Sequence, residues 1–226
     1  MRGLFVSGTG TDVGKTVVAA AILAALHVRG ERVVAFKPVV SGTAERVDPG
    51  WPPDHELLAA ATGADPNDVS PAVFAAPLSP HLAAELAGAP LDPTLLRRAF
   101  DARAADAETV IVEGVGGLLV PLTRDYLVRD LACDLGLPLV IAASPGLGTI
   151  NHTLLTLEAA RAAGLRVAGV VLTPWPAQPS TMEDDNRATI ARLGDVEVAA
   201  LPRVARADAA LLAAAGATLP LERWLG

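Results

Sequence analysis

Cysteine is almost absent from this chain. Cys133 is the only one in 226 residues, which excludes an intrachain disulfide and a cysteine-built zinc site and fits a reducing compartment. Aromatic residues are scarce too, at 4%, so a chain that is 51% hydrophobic must build its core from aliphatic side chains. No block of lysine and arginine interrupts the sequence and the net charge is −7, which argues against a nucleic-acid footprint or a polybasic membrane patch. No uncharged apolar run reaches the roughly 18 residues of a membrane span. The first residues enter a strand-like segment at once, without the basic region, apolar stretch and cleavage site of a signal peptide. His27, His55, His81 and His152 are scattered and suggest no transition-metal site. These absences lead us to expect a soluble, cytoplasmic protein whose partners are small molecules.

What is present is a repeating alternation. Short β-branched runs at 3–7, 32–36, 109–112, 138–142 and 167–172, with a weaker sixth at 196–200, read as strands. Most are apolar on both sides of the pleat, as parallel strands covered by helices on both faces must be. Helical patterns fill 15–29, 54–62, 80–87, 93–105, 127–135, 151–163, 181–193 and 208–214. The alternation predicts an α/β fold, a doubly wound and mainly parallel sheet flanked by helices, with ligands outside the carboxyl ends of the strands. We expect one domain over residues 1–226. Two stretches break the pattern: 42–53 reads as a surface loop, and 64–80 is proline-rich and weakly periodic. The alanine-rich tracts read as helix filler.

The first strand runs into "SGTGTDVGKT", residues 7–16, and a helix opens at Gly14-Lys15-Thr16. A strand, a glycine-rich turn and a helix N-terminus make a phosphate cradle: backbone N–H groups face the phosphate oxygens, Lys15 adds a charge, and the Thr16 hydroxyl can reach a magnesium ion. The spacing differs from the usual G-x-x-x-x-G-K-[ST], because Thr9 stands where the first glycine belongs and Gly8 lies one residue further back. The deviant branch of such loops carries a signature lysine where this chain has Gly10, so that branch does not apply.

Two further groups gather at predicted strand ends. "FKPVVSG" puts Lys37 at the end of the second strand, where a cation can neutralise a phosphoryl group in transfer, followed by Ser41 and Gly42. Asp54 opens the next helix and reads either as an ordinary N-cap or as a metal ligand. "TVIVEGVGG" ends a buried strand in Glu113, a position suited to holding magnesium directly or through water. Thr16, Asp54 and Glu113 together form an all-oxygen set suited to that hard cation.

Over most of its length the chain resembles the dethiobiotin synthetase family, through "GTGTDVGKT", "KPVVSG", Asp54, "PLSPHLAAE" at 77–85, "VEGVGGLLVPL" at 112–122, "LGTINHTLLTLEAARAAGL" at 147–165 and "LP" at 201–202. That family's loop has the same additional residue between Gly8 and Gly14. The resemblance implies a P-loop NTPase fold and an ATP- and magnesium-dependent ligase of biotin synthesis. Its substrates would be 7,8-diaminononanoate, CO2 and ATP, its products dethiobiotin, ADP and phosphate, with a carbamate and then a carbamic-phosphoric anhydride between them.

Carried over by motif, Lys37, Lys15 and Thr11 form the catalytic set. Ser41, Asp12, Gly148, Thr149, Ile150 and Asn151 bind the substrate, the last four as the N-terminus of a helix in the partner subunit of a homodimer, where N–H donors and the helix dipole suit a carboxylate. Helix capping by Asn151 is compatible with that role. Nucleotide and metal would be held by Asp12, Val13, Gly14, Lys15, Thr16, Val17, Asp54, Glu113, Gly114, Val115 and Gly116. Thr173, Pro174, Pro202, Arg203 and Val204 would line the base. Many members carry a base-reading asparagine where this chain has Thr173-Pro174; Pro174 has no backbone N–H, so we expect other nucleoside triphosphates to be tolerated beside ATP. Two rival readings remain: an amide-forming ligase of the cobyrinate type, for which Cys133 lacks the setting of a glutaminase nucleophile, and a switch ATPase, which would need the missing signature lysine.

Overall fold

A run such as Leu139–Ala143 has no polar side to turn to water, and it can be accommodated only inside a sheet covered on both faces. That is its place in the structure, a computed structural model that describes residues 2–44 and 50–226. Residues 45–49 of the expected surface loop lie outside the described residues. The strands are β1 (Arg2–Gly8), β2 (Val33–Phe36), β3 (Thr109–Gly117), β4 (Leu139–Ala143), β5 (Val167–Trp175) and β6 (Val198–Pro202). They form one sheet in the order β2-β3-β1-β4-β5-β6, and every neighbouring pair is parallel.

The helices are α1 (Lys15–Val28), α2 (Asp54–Ala60), α3 (Pro66–Val69), α4 (Pro80–Leu86), α5 (Pro93–Ala104), α6 (Val128–Leu135), α7 (Thr149–Ala162), α8 (Thr181–Gly194), α9 (Ala209–Gly216) and α10 (Leu221–Leu225). Pleat alternation divides the strand side chains between two cores. Leu4, Val6, Ile111 and Val171 pack with α1, α2, α9 and α10, while Phe5, Val110, Val112 and Ile141 pack with α5 to α8. By the same alternation Glu113 projects on the Ile111 side, the side of α1.

The chain leaves β1, passes β3 to reach β2 at the sheet edge, returns to β3, and then crosses to β4 on the other flank of β1. The reversal opens a crevice at the carboxyl end of β1, where loops from both flanks converge. The alanine tracts have a structural reason that composition does not disclose. A Cβ on Gly216 of α9 would stand 2.0 Å from the carbonyl oxygen of Ala21 in α1, so only small residues let these two helices approach as they do.

Several boundaries differ from expectation. Strand β3 continues past Val112 through the glycines to Gly117, because Gly8 of β1 pairs with Gly117. Strand β5 continues past Leu172 to Trp175, which pairs with Pro202, and β6 is displaced two residues toward that end. Helix α7 begins at Thr149, two residues early. Helices α3 and α10 were not foreseen; four and five residues are too short for a period, and α10 is anchored by Trp224, whose ring lies against the backbone of Gly169.

Candidate active site

The loop after β1 ends in Gly14, which caps α1 with φ 84° and ψ 20°, a left-handed conformation that costs a side-chain-bearing residue about 1–2 kcal/mol. A Cβ there would also stand 2.6 Å from Thr173 Cγ2, so glycine lets the end of β5 close on the loop. Thr11 and Asp12 are exposed on the outer curve, Asp12 with φ 57°, and Val13 and Val17 are half-buried beneath it. Lys15 is folded back over the loop, its Nζ donating to the Gly10 carbonyl at 2.9 Å. Burial pushes its pKa below the ordinary lysine value, with Glu113 acting in the opposite sense.

Lys37 leaves the end of β2 and is 2% exposed. Its ammonium lies 2.7 Å from Glu113 Oε1 and 2.9 Å from Asp54 Oδ2. Thr16 Oγ1 stands 3.0 Å from Asp54 Oδ1 and 2.9 Å from that same Glu113 Oε1. One hydroxyl has one proton, so Thr16 can donate to only one of these carboxylates at a time. Thus the loop at 15–16, the residue after β2, the start of α2 and the middle of β3 meet at one point. Burial would lower the pKa of Lys37, yet Asp54 and Glu113 outweigh it and hold the ammonium above the ordinary lysine range. Burial would raise Asp54, but Lys37 and Thr16 carry its carboxyl below the usual aspartate value. Glu113 is fully enclosed, and burial pushes its pKa up against the pull of Lys37.

The donor set fits a hard divalent cation. Glu113 Oε2 is buried without a hydrogen-bond partner, an uncompensated acceptor of the kind a cation or its water would satisfy. Among the described residues no three His, Cys, Asp or Glu side chains form a metal cage. Two carboxylates and a hydroxyl are what magnesium takes when phosphates and water complete its shell.

The remaining residues sit around this point. Gly114, Val115 and Gly116 follow Glu113, and a Cβ on Gly116 would approach Thr11 Oγ1 to 3.8 Å. Ser41 is half-buried in a segment tied down next door by Gly42, whose N–H donates to the Ala76 carbonyl at 2.9 Å. On the far flank Thr173 is buried, Pro174 and Pro202 are exposed, Val204 is half-buried, and the Arg203 N–H is taken by the Trp175 carbonyl. Gly148, Thr149, Ile150 and Asn151 lie at the N-terminus of α7; no hydrogen bond or ion pair joins them to Lys37 among the described residues. Gly148 and Asn151 are exposed, as is Leu147 beside them at 94%. A cleft of about 500 Å³ lined by Arg32, Asp68, Arg103 and Asp106 opens at the amino end of β2, the opposite end of the sheet, and contains none of these residues.

Sequence reasoning passed over one compositional signal. Lys15 and Lys37 are the only two lysines among 18 lysine and arginine residues. The structure brings both of them to the phosphate loop, Lys15 onto the Gly10 carbonyl and Lys37, a compact point charge, between Asp54 and Glu113.

A parallel doubly wound sheet with a phosphate loop after β1, and a lysine and two carboxylates gathered beside it, defines a P-loop nucleoside triphosphatase. Comparisons with known proteins agree. Residues 2–210 match the family described as AAA domain, AAA_26. An ATP-dependent dethiobiotin synthetase of Anaeromyxobacter sp. (strain K) is 44% identical over 225 residues, covering 97% of this chain and 99% of the relative. The synthetase of Mycobacterium sp. (strain KMS) is 45% identical over 206 residues, covering 89% and 88%. A ParA family ATPase from Chlorobium tepidum has a similar fold, with a TM-score of 0.53 at 14% identity over 97% of this chain and 91% of that one. The chain belongs to the ATP-dependent dethiobiotin synthetases. It is therefore a nucleotide-binding ligase acting with ATP on small molecules in biotin synthesis. Among the described residues no helix is long and apolar enough to cross a membrane.

Proposed function

We propose that this one domain, in the cytoplasm, joins 7,8-diaminononanoate to CO2 and closes the ureido ring of dethiobiotin. One amine forms a bond to the carbon of CO2 and loses a proton, giving a carbamate. A carbamate oxygen attacks the γ-phosphorus of ATP; the bond to the bridging oxygen breaks and ADP departs. The second amine attacks the carbonyl carbon of the resulting anhydride and loses a proton; the carbon–oxygen bond to the phosphoryl group breaks, and inorganic phosphate leaves as the ring closes. No protein nucleophile is required, so the enzyme contributes positioning and charge compensation.

Lys37 neutralises the carbamate and the phosphoryl group in transfer, and Lys15 spans carbamate and phosphates. Thr11, Asp12 and Ser41 form the wall against which the diamine is held. The amides of Gly14 to Val17, with Val13, cradle the phosphates, and Gly114 to Gly116 close over them. Thr16, Asp54 and Glu113 would hold a magnesium ion, which when bound offsets charge on the phosphates. Thr173, Pro174, Pro202, Arg203 and Val204 line the base, and with no N–H on either proline we expect bases other than adenine to be accepted. The acting form is a homodimer, in which Gly148 to Asn151 of one copy receive the substrate carboxylate of the other.

The observation that carries this reading is the ammonium of Lys37 held between Asp54 and Glu113 beside the phosphate loop. It is tested by phosphate release: 7,8-diaminononanoate with bicarbonate should trigger it from ATP. Release that is indifferent to the diamine would overturn the assignment.

A further inference from the structure

The turn between β4 and α7, residues 144–148, carries the exposed Leu147 and Gly148 and leads into Thr149, the first residue of the helix. It lies beyond the ladder of β4, whose last paired residue is Ala143 opposite Leu172. Its conformation has to be held from elsewhere. Asn186, on α8 some forty residues away in sequence, does so: its Nδ2 donates to the Pro145 carbonyl at 2.9 Å and to the Gly146 carbonyl at 3.3 Å. The side chain is 6% exposed, so these bonds are shielded from competing water. The Gly146 carbonyl also accepts the Thr149 N–H at 3.2 Å, so one acceptor joins the α8 amide to the first turn of α7. Among the described residues no other side chain bonds to a carbonyl of this turn.

Helix α8 is itself fixed against the sheet. Arg187, next to Asn186, donates from Nε to the Val198 carbonyl at 3.1 Å and lies over the Trp175 ring. Asn186 therefore ties the turn to a rigid frame through two carbonyls, while the outer side of the turn stays free.

We propose that Asn186 is a positioning residue for the carboxylate end of the substrate. By setting the turn, it sets the direction in which the amides of Gly148, Ile150 and Asn151 point, that of Thr149 being taken by the Gly146 carbonyl, and so acts on a substrate held in the other copy's site. This rests on the shared-site reading above.

The test compares kcat/KM for 7,8-diaminononanoate with that for its methyl ester, which has the same carbon backbone, one added methyl group and no negative charge at that end. Wild-type enzyme should prefer the acid roughly ten- to hundredfold, the range of a charge-assisted hydrogen-bond set. Asn186→Leu keeps the volume but removes both donors. It should bring the acid and ester within about twofold by raising KM for the acid, with kcat, the KM for ATP and the ester kinetics unchanged. Asn186→Asp, which turns a carboxylate toward the two carbonyls, serves as the second variant if the leucine form does not fold, and should lose the same preference. A variant that keeps the wild-type preference overturns the role of Asn186. A wild-type enzyme that itself does not distinguish acid from ester overturns the shared carboxylate site, and the present inference with it.

Discussion

Lys37 Nζ stands 2.7 Å from Glu113 Oε1, and both side chains are closed to solvent. A buried carboxylate is tolerable only with a counter-charge, and here one ammonium serves Glu113 and Asp54 together. The same two carboxylates face Thr16, so the lysine occupies the ground that a metal's ligands would share.

Replacing Lys37 should therefore have two separable effects. In Lys37→Met, diamine-dependent phosphate release is expected to vanish while nucleotide binding stays measurable by calorimetry. The unliganded protein should also lose about 3–5 kcal/mol at neutral pH, because a buried charge is left without its partner. Burial raises the pKa of Glu113, so the deficit should shrink on acidification as that carboxyl takes up a proton. Urea titrations at several pH values read this directly, and equal stability of the two proteins at neutral pH would contradict the arrangement.

Asp54 titrates in the other sense. Its folded pKa lies below the reference value of 3.8, so the unfolded chain takes up the proton first as pH falls. Its contribution to stability is thus present above that value and disappears as pH drops through the folded one. Asp54→Asn should flatten the acid limb of the stability curve below about pH 4, read from urea midpoints between neutrality and strong acid; an unaltered limb would assign the acid sensitivity elsewhere.

Base selection should be weak. Pro174 and Pro202 have no N–H to offer, and that of Arg203 is committed to Trp175. Dethiobiotin formation with ATP, CTP, GTP and UTP is expected to span no more than about tenfold in kcat/KM, a difference of about 1.4 kcal/mol. A preference for ATP beyond a hundredfold would point to a base contact outside these residues.

A shared site makes complementation possible. Ser41→Ala and Asn151→Ala chains should each be inactive or severely impaired alone, and mixing them should restore part of the activity through sites that are intact at both positions. Verified exchange of subunits without recovery would confine the site to one chain.

Much of this could be read without coordinates, and the exceptions have physical causes. The strand and helix alternation was legible because hydrophobic period is a local property. The far ends of β3 and β5 were not, since the glycines at 114, 116 and 117 and Pro174 carry no apolar signal, and their pairing is decided by Gly8 and Pro202 on other strands. At the site, Lys15 and Thr16 were fixed by contiguous motif. Asp54 was ambiguous between cap and ligand; Pro53, the cap residue before it, makes no side-chain capping bond, and both Asp54 oxygens turn to Thr16 and Lys37. Asn186 was invisible because its partners lie on another element and its own neighbours carry no pattern.

The order of residues along the chain determined the chemical inventory: a phosphate loop, two lysines, two carboxylates and a helix start led by a glycine. Each is a short string whose meaning depends on its immediate neighbours. Only the tertiary structure decided that Glu113 and Asp54 share a single ammonium and that Asn186 steers a turn some forty residues away. Those relationships depend on the strand order β2-β3-β1-β4-β5-β6, which decides which strand ends lie side by side and, being a matter of pairing between distant segments, is written in no one of them.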